Sequence, residues 1–186
     1  MDTQLNKQLV IGFLDSVERD TTKIIEYMEK TDYFKAPAST MFHLNENGGL
    51  VQHSLNVLNL FQETCSMYGF DTGELRDTII LCSLLHDLCK VDTYKKNHLA
   101  NGKVSLAKPY VIEDLIPLGH GEKSLVIAQD LVELTIPEKL IIRWHMGLFD
   151  RSFLSVCDKL KEICPLAILF HTCDWNCSVF KDVKHE

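Results

Sequence analysis

Six residues of two kinds stand at positions where they can do chemistry together: His53, His86, Asp87, His120, His145 and Asp174. His53 shares a helical face with Leu50, Val57 and Leu60, so its imidazole points toward a core. His86 and Asp87 close the most apolar stretch of the chain, ELRDTIILCSLLHDLCK, and an aspartate so placed needs a partner because burying a lone carboxylate is costly. Being adjacent, the two sit about 100° apart on a helix and can both reach one ion lying off its end. Asp174 continues the stripe of Ala167 and Phe170, and His145 that of Ile141 and Ile142. A divalent cation satisfies such a set. It offsets carboxylate charge and binds neutral imidazole, and mixed oxygen and imidazole ligands suit Mn, Fe, Ni, Zn or Mg. A hydrogen-bonded polar network in the core is the alternative, and spacing does not choose between them.

Further groups lie close to these in sequence. Lys90 follows His86 and Asp87, where a cation is favoured by the helix dipole whatever else it does. Lys123 lies three residues after His120 and shares its helical face. His43, with Ser39 and Thr40, precedes the His53 helix and can line a pocket. Arg143 stands two residues from His145, points elsewhere and reads as structural. Lys90, Lys95, Lys96, Lys103 and Lys108 cluster in a stretch whose single acid is Asp92, an anion-attracting patch or a solvated loop. Cys173 and Cys177 have helical spacing for a shared zinc but no further paired ligand nearby.

The elements that must position these groups read as helices. Residues 4–18 and 22–31 are amphipathic, 49–68 form a longer helix stopped by Gly69, and 74–90 are apolar nearly all round, as in a helix buried centrally. Asn101-Gly102 between short alternating runs predicts a two-stranded hairpin, and helices follow at 119–133, 137–147 and 152–181, the last broken at Pro165. The expected fold is therefore all-α with a small β-hairpin, one domain over residues 1–186, the N-terminal helices of 4–31 packed on the part that bears the motifs.

Composition narrows the function classes. A net charge of -7 gives no overall footprint for nucleic acid. Seven cysteines without a CxxC pair read as reduced thiols, and neither a leader nor a membrane span is apparent, so a cytoplasmic location is expected.

The segments GGLVQHSLNV, LLHDLCK, PLGHGEKS, RWHMG and HTCDW resemble, in order, the successive motifs of the HD superfamily of metal-dependent phosphohydrolases, over residues 36–176. GGLVQHS and GHGEKS are most similar to bacterial and phage HD hydrolases and to the HD half of certain exoribonucleases. The resemblance implies an HD-domain helical bundle in which His53, His86, Asp87 and Asp174 hold a first divalent ion, while His120 and His145, with Asp87 bridging, hold a second. It further implies that a bridging hydroxide attacks phosphorus, with Lys90 steadying phosphate charge; from their positions alone, Lys123 is expected to reach the same phosphate and His43, Lys95 and Lys96 to meet the substrate. A small phosphorylated molecule, with a nucleotide leading, is the implied substrate. The GYP signature of cyclic-dinucleotide phosphodiesterases and an N-terminal β-rich RNA-binding stretch are both missing, which argues against those substrates. HD-type diiron oxygenases share the ligand set, and a regulatory domain that binds a nucleotide without cleaving it is a third reading.

Overall fold

The structure, a computed structural model, describes residues 2–183. It contains α1 (Thr3–Asp15), α2 (Thr22–Lys30), α3 (Gly49–Met67), α4 (Arg76–Leu85), β1 (Tyr94–Lys96), β2 (Tyr110–Ile112), α5 (His120–Leu131), α6 (Ile136–Trp144), α7 (Phe153–Ile163) and α8 (Pro165–Asn176). Tight single turns follow three of these helices: 3-10 turns at Leu88–Lys90 and Gly147–Phe149, and a π turn at Cys177–Lys181. The fold is all-α with one small hairpin.

The central layer is α3 packed on α4 and α8, with α6 closing against α4 and α8, and α5 against α6. Every residue from Ile79 to Leu85 is buried, which is what a helix apolar on all sides demands. Phe61 of α3 meets Phe170 of α8 edge to face with centroids 5.0 Å apart, and the fully buried Tyr33 spends its hydroxyl on Leu84 O at 3.0 Å. α1 packs on α3 and α4, and α2 on α5. One glycine is required by close approach: a Cβ at Gly49 would lie 2.0 Å from Leu44 O, so the strand of chain entering α3 can press against the helix start.

The boundaries differ from the sequence reading where caps take over. α1 ends at Asp15 rather than 18, and α4 ends at Leu85 rather than 90, with His86 as its C-cap and Asp87 already outside helical geometry at φ -107, ψ 20. α6 likewise stops at Trp144, with His145 as C-cap. Pro165 opens α8, where its missing N–H costs nothing. β1 and β2 pair antiparallel through Tyr94↔Ile112, Lys95↔Val111 and Lys96↔Tyr110, and Gly102 at φ +78 turns the tip.

Candidate metal centre

Two helix ends are built alike. At the end of α4 the His86 Nδ1–H donates to Ser83 O at 2.9 Å, and at the end of α6 the His145 Nδ1–H donates to Ile142 O at 2.7 Å. Each imidazole thus satisfies one of the carbonyls that a helix C-terminus leaves open. Because a carbonyl only accepts, the hydrogen of each neutral ring sits on Nδ1 and its Nε2 lone pair faces inward. His53, from the middle of α3, presents Nε2 to the same space, 3.3 Å from His86 Nε2 and 3.0 Å from Asp174 Oδ1.

Asp87 stands between two groups of atoms. Its Oδ2 lies 3.4 Å from His86 Nε2 and 3.7 Å from His53 Nε2, and its Oδ1 lies 2.8 Å from His120 Nε2 and 3.7 Å from His145 Nε2. Lys90, carried by the turn after α4, closes an ion pair of 2.7 Å on Oδ2. His53, His86 and Asp174 offer ligand atoms all within 4.8 Å of one another, and so do Asp87, His120 and His145.

Electrostatics follow from burial and neighbours. Burial pushes the Asp87 carboxyl up, but the Lys90 ammonium and His86 outweigh it and hold it well below the carboxylate range. Burial would lower the proton affinity of His53, yet Asp174 and Asp182 raise its pKa to about 9. His120 is raised to about 10 against burial, by Cys89 and Asp87. His145 goes the other way, down to about 3, through burial and the neighbouring His86 and His120. His145 Nε2 is a bare acceptor, fully buried, with no hydrogen-bond partner among the described residues. A buried orphan acceptor beside a carboxylate, within a set of imidazole and oxygen donors, fits a divalent cation.

The cluster forms the floor of a cavity of about 910 Å³. His43, Asp87, Lys90, His120, His145 and Asp174 line its polar side, and Phe42, Met146, Phe149, Trp175, Val179 and Val183 its apolar side. His171 braces the apolar wall: its Nδ1–H donates to His145 O at 2.8 Å, and its ring stacks on Trp175 at an interplanar angle of 17°. Gly147, at φ +48, lets that ring approach, since a Cβ there would lie 2.2 Å from His171 Cδ2.

The remaining residues singled out from sequence are placed as follows. His43 lies on the loop before α3 with its ring centroid 5.4 Å from that of His53, and Ser39 shapes that loop by accepting from Phe42 N at 2.9 Å and donating to His43 O at 2.7 Å. Thr40 gives its carbonyl to Tyr110 N at 3.3 Å. Lys123 is buried and bound to Asp114 at 2.7 Å and Thr93 at 3.1 Å, facing a separate small recess rather than the main cavity. Lys95 and Lys96 also lie outside the cavity: Lys95 is exposed near Glu113, and Lys96 bonds the Tyr110 hydroxyl at 2.6 Å with its ammonium over that ring. Arg143 binds Glu122 and Asp150, a structural role. Cys173 and Cys177 are buried and belong to none of the candidate ligand groups among the described residues.

Sequence reasoning missed Asp182, His171 and the aromatic wall. Asp182 looks like a surface acid beyond the last motif, yet it is buried, 2.6 Å from His53 Nδ1. His171 did carry a signal, four residues before Trp175 on one helical face.

No curated protein and no solved structure matches the chain. The HD domain family profile matches residues 50–175, more than half of the sequence, spanning α3 to α8 and all six residues from which the site is built. The chain belongs to the HD domain family.

Proposed function

We propose that the protein is a metal-dependent phosphohydrolase acting on a small phosphorylated substrate, with a nucleotide the leading class. The observation that carries this reading is the convergence of four imidazoles on the two oxygens of Asp87, those of His53, His86, His120 and His145, the last with an Nε2 that has no partner among the described residues, while Asp174 faces His53 and His86. His53, His86 and Asp174 form one ligand group and Asp87, His120 and His145 another, and Asp87 Oδ2 also lies near His53 and His86, so the reading takes two divalent ions with Asp87 shared between them. When bound, such ions supply the positive charge that makes water acidic at neutral pH and offsets charge on phosphoryl oxygens.

The protein's own groups contribute the rest. Lys90, half of an ion pair with Asp87 and on the cavity wall, has further N–H bonds to offer a phosphoryl oxygen. Trp175 and Phe149, edge to face at 5.5 Å and partly exposed, offer flat apolar surface to a base or similar group. The seven unpaired cysteines support a reducing, cytoplasmic setting, and among the described residues no helix is long and apolar enough to cross a membrane.

The test is phosphate release from nucleotides, phosphomonoesters and phosphodiesters by protein loaded with Mn, Ni, Co, Fe or Mg. Hydrolysis is expected with at least one redox-inert metal, under anaerobic conditions, and abolished by chelation. Metal-loaded protein that cleaves no ester but consumes O2 would replace this reading with an oxygenase.

A further inference from the structure

His53 is held from behind by a row of side chains that reaches the first helix of the protein. Asp182 Oδ2 lies 2.6 Å from His53 Nδ1, and Asp182 Oδ1 accepts from Asn56 Nδ2 at 2.6 Å. A carboxylate that accepts on both oxygens orients everything attached to it. Asn56 must turn its NH2 toward Asp182, which leaves its Oδ1 to accept from Gln52 Nε2 at 3.0 Å; Gln52 in turn presents Oε1 to Asn6 Nδ2, also at 3.0 Å. Each amide in the row therefore has one allowed orientation, set by the carboxylate at its end. Asn6 is a buried polar residue on α1, and Gln52, His53 and Asn56 share α3. Asp182 itself is fixed by its backbone N–H, which donates to Cys177 O at 2.9 Å across the π turn.

We propose that Asp182 is a positioning residue for His53: locked by the Asn56–Gln52–Asn6 row, it accepts the hydrogen bond from Nδ1–H and leaves Nε2 as the atom facing Asp174 and Asp87. The proposal rests on the reading that His53 Nε2 binds a metal. The rival is that Asp182 is itself a ligand, because His43, His53 and Asp182 also offer converging atoms. Both Asp182 oxygens are already engaged by N–H donors, and the one near His53 meets Nδ1, not the Nε2 that faces His86 and Asp174. Carboxylates in this position fix ring orientation and raise the basicity of the ligating nitrogen.

The experiment compares full-length wild type with Asp182→Ala, Asp182→Asn, Gln52→Leu and His53→Ala. Zn or Mn affinity is measured by competition with a chromophoric chelator, and ions per chain by elemental analysis at saturation. Asp182→Ala is expected to raise the metal Kd about 10- to 100-fold with unchanged ions per chain. Asp182→Asn should fall between, because its oxygen can accept from His53 while its NH2 then opposes that of Asn56. Gln52→Leu should give a smaller rise of the same sign, and it keeps the proposal testable if Asp182→Ala does not fold. In the Zn-loaded wild type the His53 Nδ1 hydrogen should give a slowly exchanging proton resonance, absent in Asp182→Ala. Wild-type Kd in the folded Asp182 variants overturns the proposal, and so does the loss of one ion per chain, which would make Asp182 a ligand. Unchanged binding in His53→Ala would overturn the reading of the site instead, a result distinct from either.

Discussion

The two ends of α6 bury ionisable groups in opposite ways. At its start Glu138 is fully buried and every lone pair is engaged: Arg19 forks onto both carboxylate oxygens at 2.7 Å each, Thr78 donates to Oε1 at 3.0 Å, and the backbone N–H of Thr135 donates to Oε2 at 2.8 Å. At its end His145 is equally buried, yet its Nε2 meets no donor among the described residues. The first arrangement is complete without any addition: a capping box, a helix N-terminus that favours negative charge, and a bidentate arginine. The second is incomplete in a way that the described residues do not repair, since the groups that face His145 are further imidazoles and a shared carboxylate. Burial of charge by itself thus says little about function, whereas the presence or absence of internal compensation distinguishes a staple from a site.

The largest expected effects separate the two ends by what each substitution destroys. Asp87→Ala removes the carboxylate that lies between the two ligand groups, so phosphate release should fall by at least about a thousandfold and bound metal below wild type, with a stability cost in the metal-free protein confined to what unpairing the Lys90 ammonium brings. Arg19→Met leaves the buried Glu138 without its cation and should cost about 2–4 kcal/mol in urea unfolding, the lower bound reflecting Arg19's partial exposure, with activity per folded molecule retained. Activity lost in Arg19→Met without loss of stability, or metal content and activity unchanged in Asp87→Ala, would erase the distinction.

Much of this was legible in the residues. The apolar run before His86 announced a central buried helix, Pro165 announced the break between the last two helices, and Asn101-Gly102 announced the hairpin. The residues that converge were legible as polar groups on apolar faces. What the sequence hid was set by contacts distant along the chain. Helix ends at His86 and His145 depend on an imidazole capping the carbonyl three residues back, a choice that propensity does not encode. Asp182 is 129 residues from its partner His53, and nothing in its local pattern marks it as buried. Lys123 follows His120 by three residues as spacing required, but while His120 reaches Asp87 the Lys123 ammonium is taken by Asp114, a partner supplied by the loop after the hairpin.

A pH experiment sharpens the comparison at the Glu138 end. Burial raises the proton affinity of Glu138, but Arg19 and the Thr135 N–H outweigh it and hold the carboxyl below its ordinary 4.5. A folded-state pKa below the unfolded value means that this carboxylate's stabilisation is fully present above pH 4.5 and is lost as pH falls from there through the folded value. Glu138→Gln should therefore be less stable than wild type at neutral pH, and the gap should narrow as the pH drops below 4.5. Urea midpoints for both proteins across that range decide it; a gap that stays constant would mean that the charge on Glu138 contributes nothing beyond its shape.

The smallest effect concerns the lysines of the hairpin, where charge and site are separated. Lys96 is held on the Tyr110 ring and hydroxyl, Lys95 reaches Glu113 only at 4.0 Å, and neither lines the cavity above the cluster. Their influence on an anionic substrate is then through the field of the exposed hairpin, which salt screens over about 8 Å at physiological ionic strength. Neutralising Lys95, Lys96 and Lys103 together should change KM by less than about twofold at that ionic strength, and raise it measurably only in dilute buffer. Lys90→Gln, by contrast, removes the ammonium on the cavity wall and should lower kcat at any salt concentration. If the triple substitution raised KM severalfold in physiological salt, the hairpin would have to fold over the cavity during turnover, and the separation between site and patch would hold only for the resting protein.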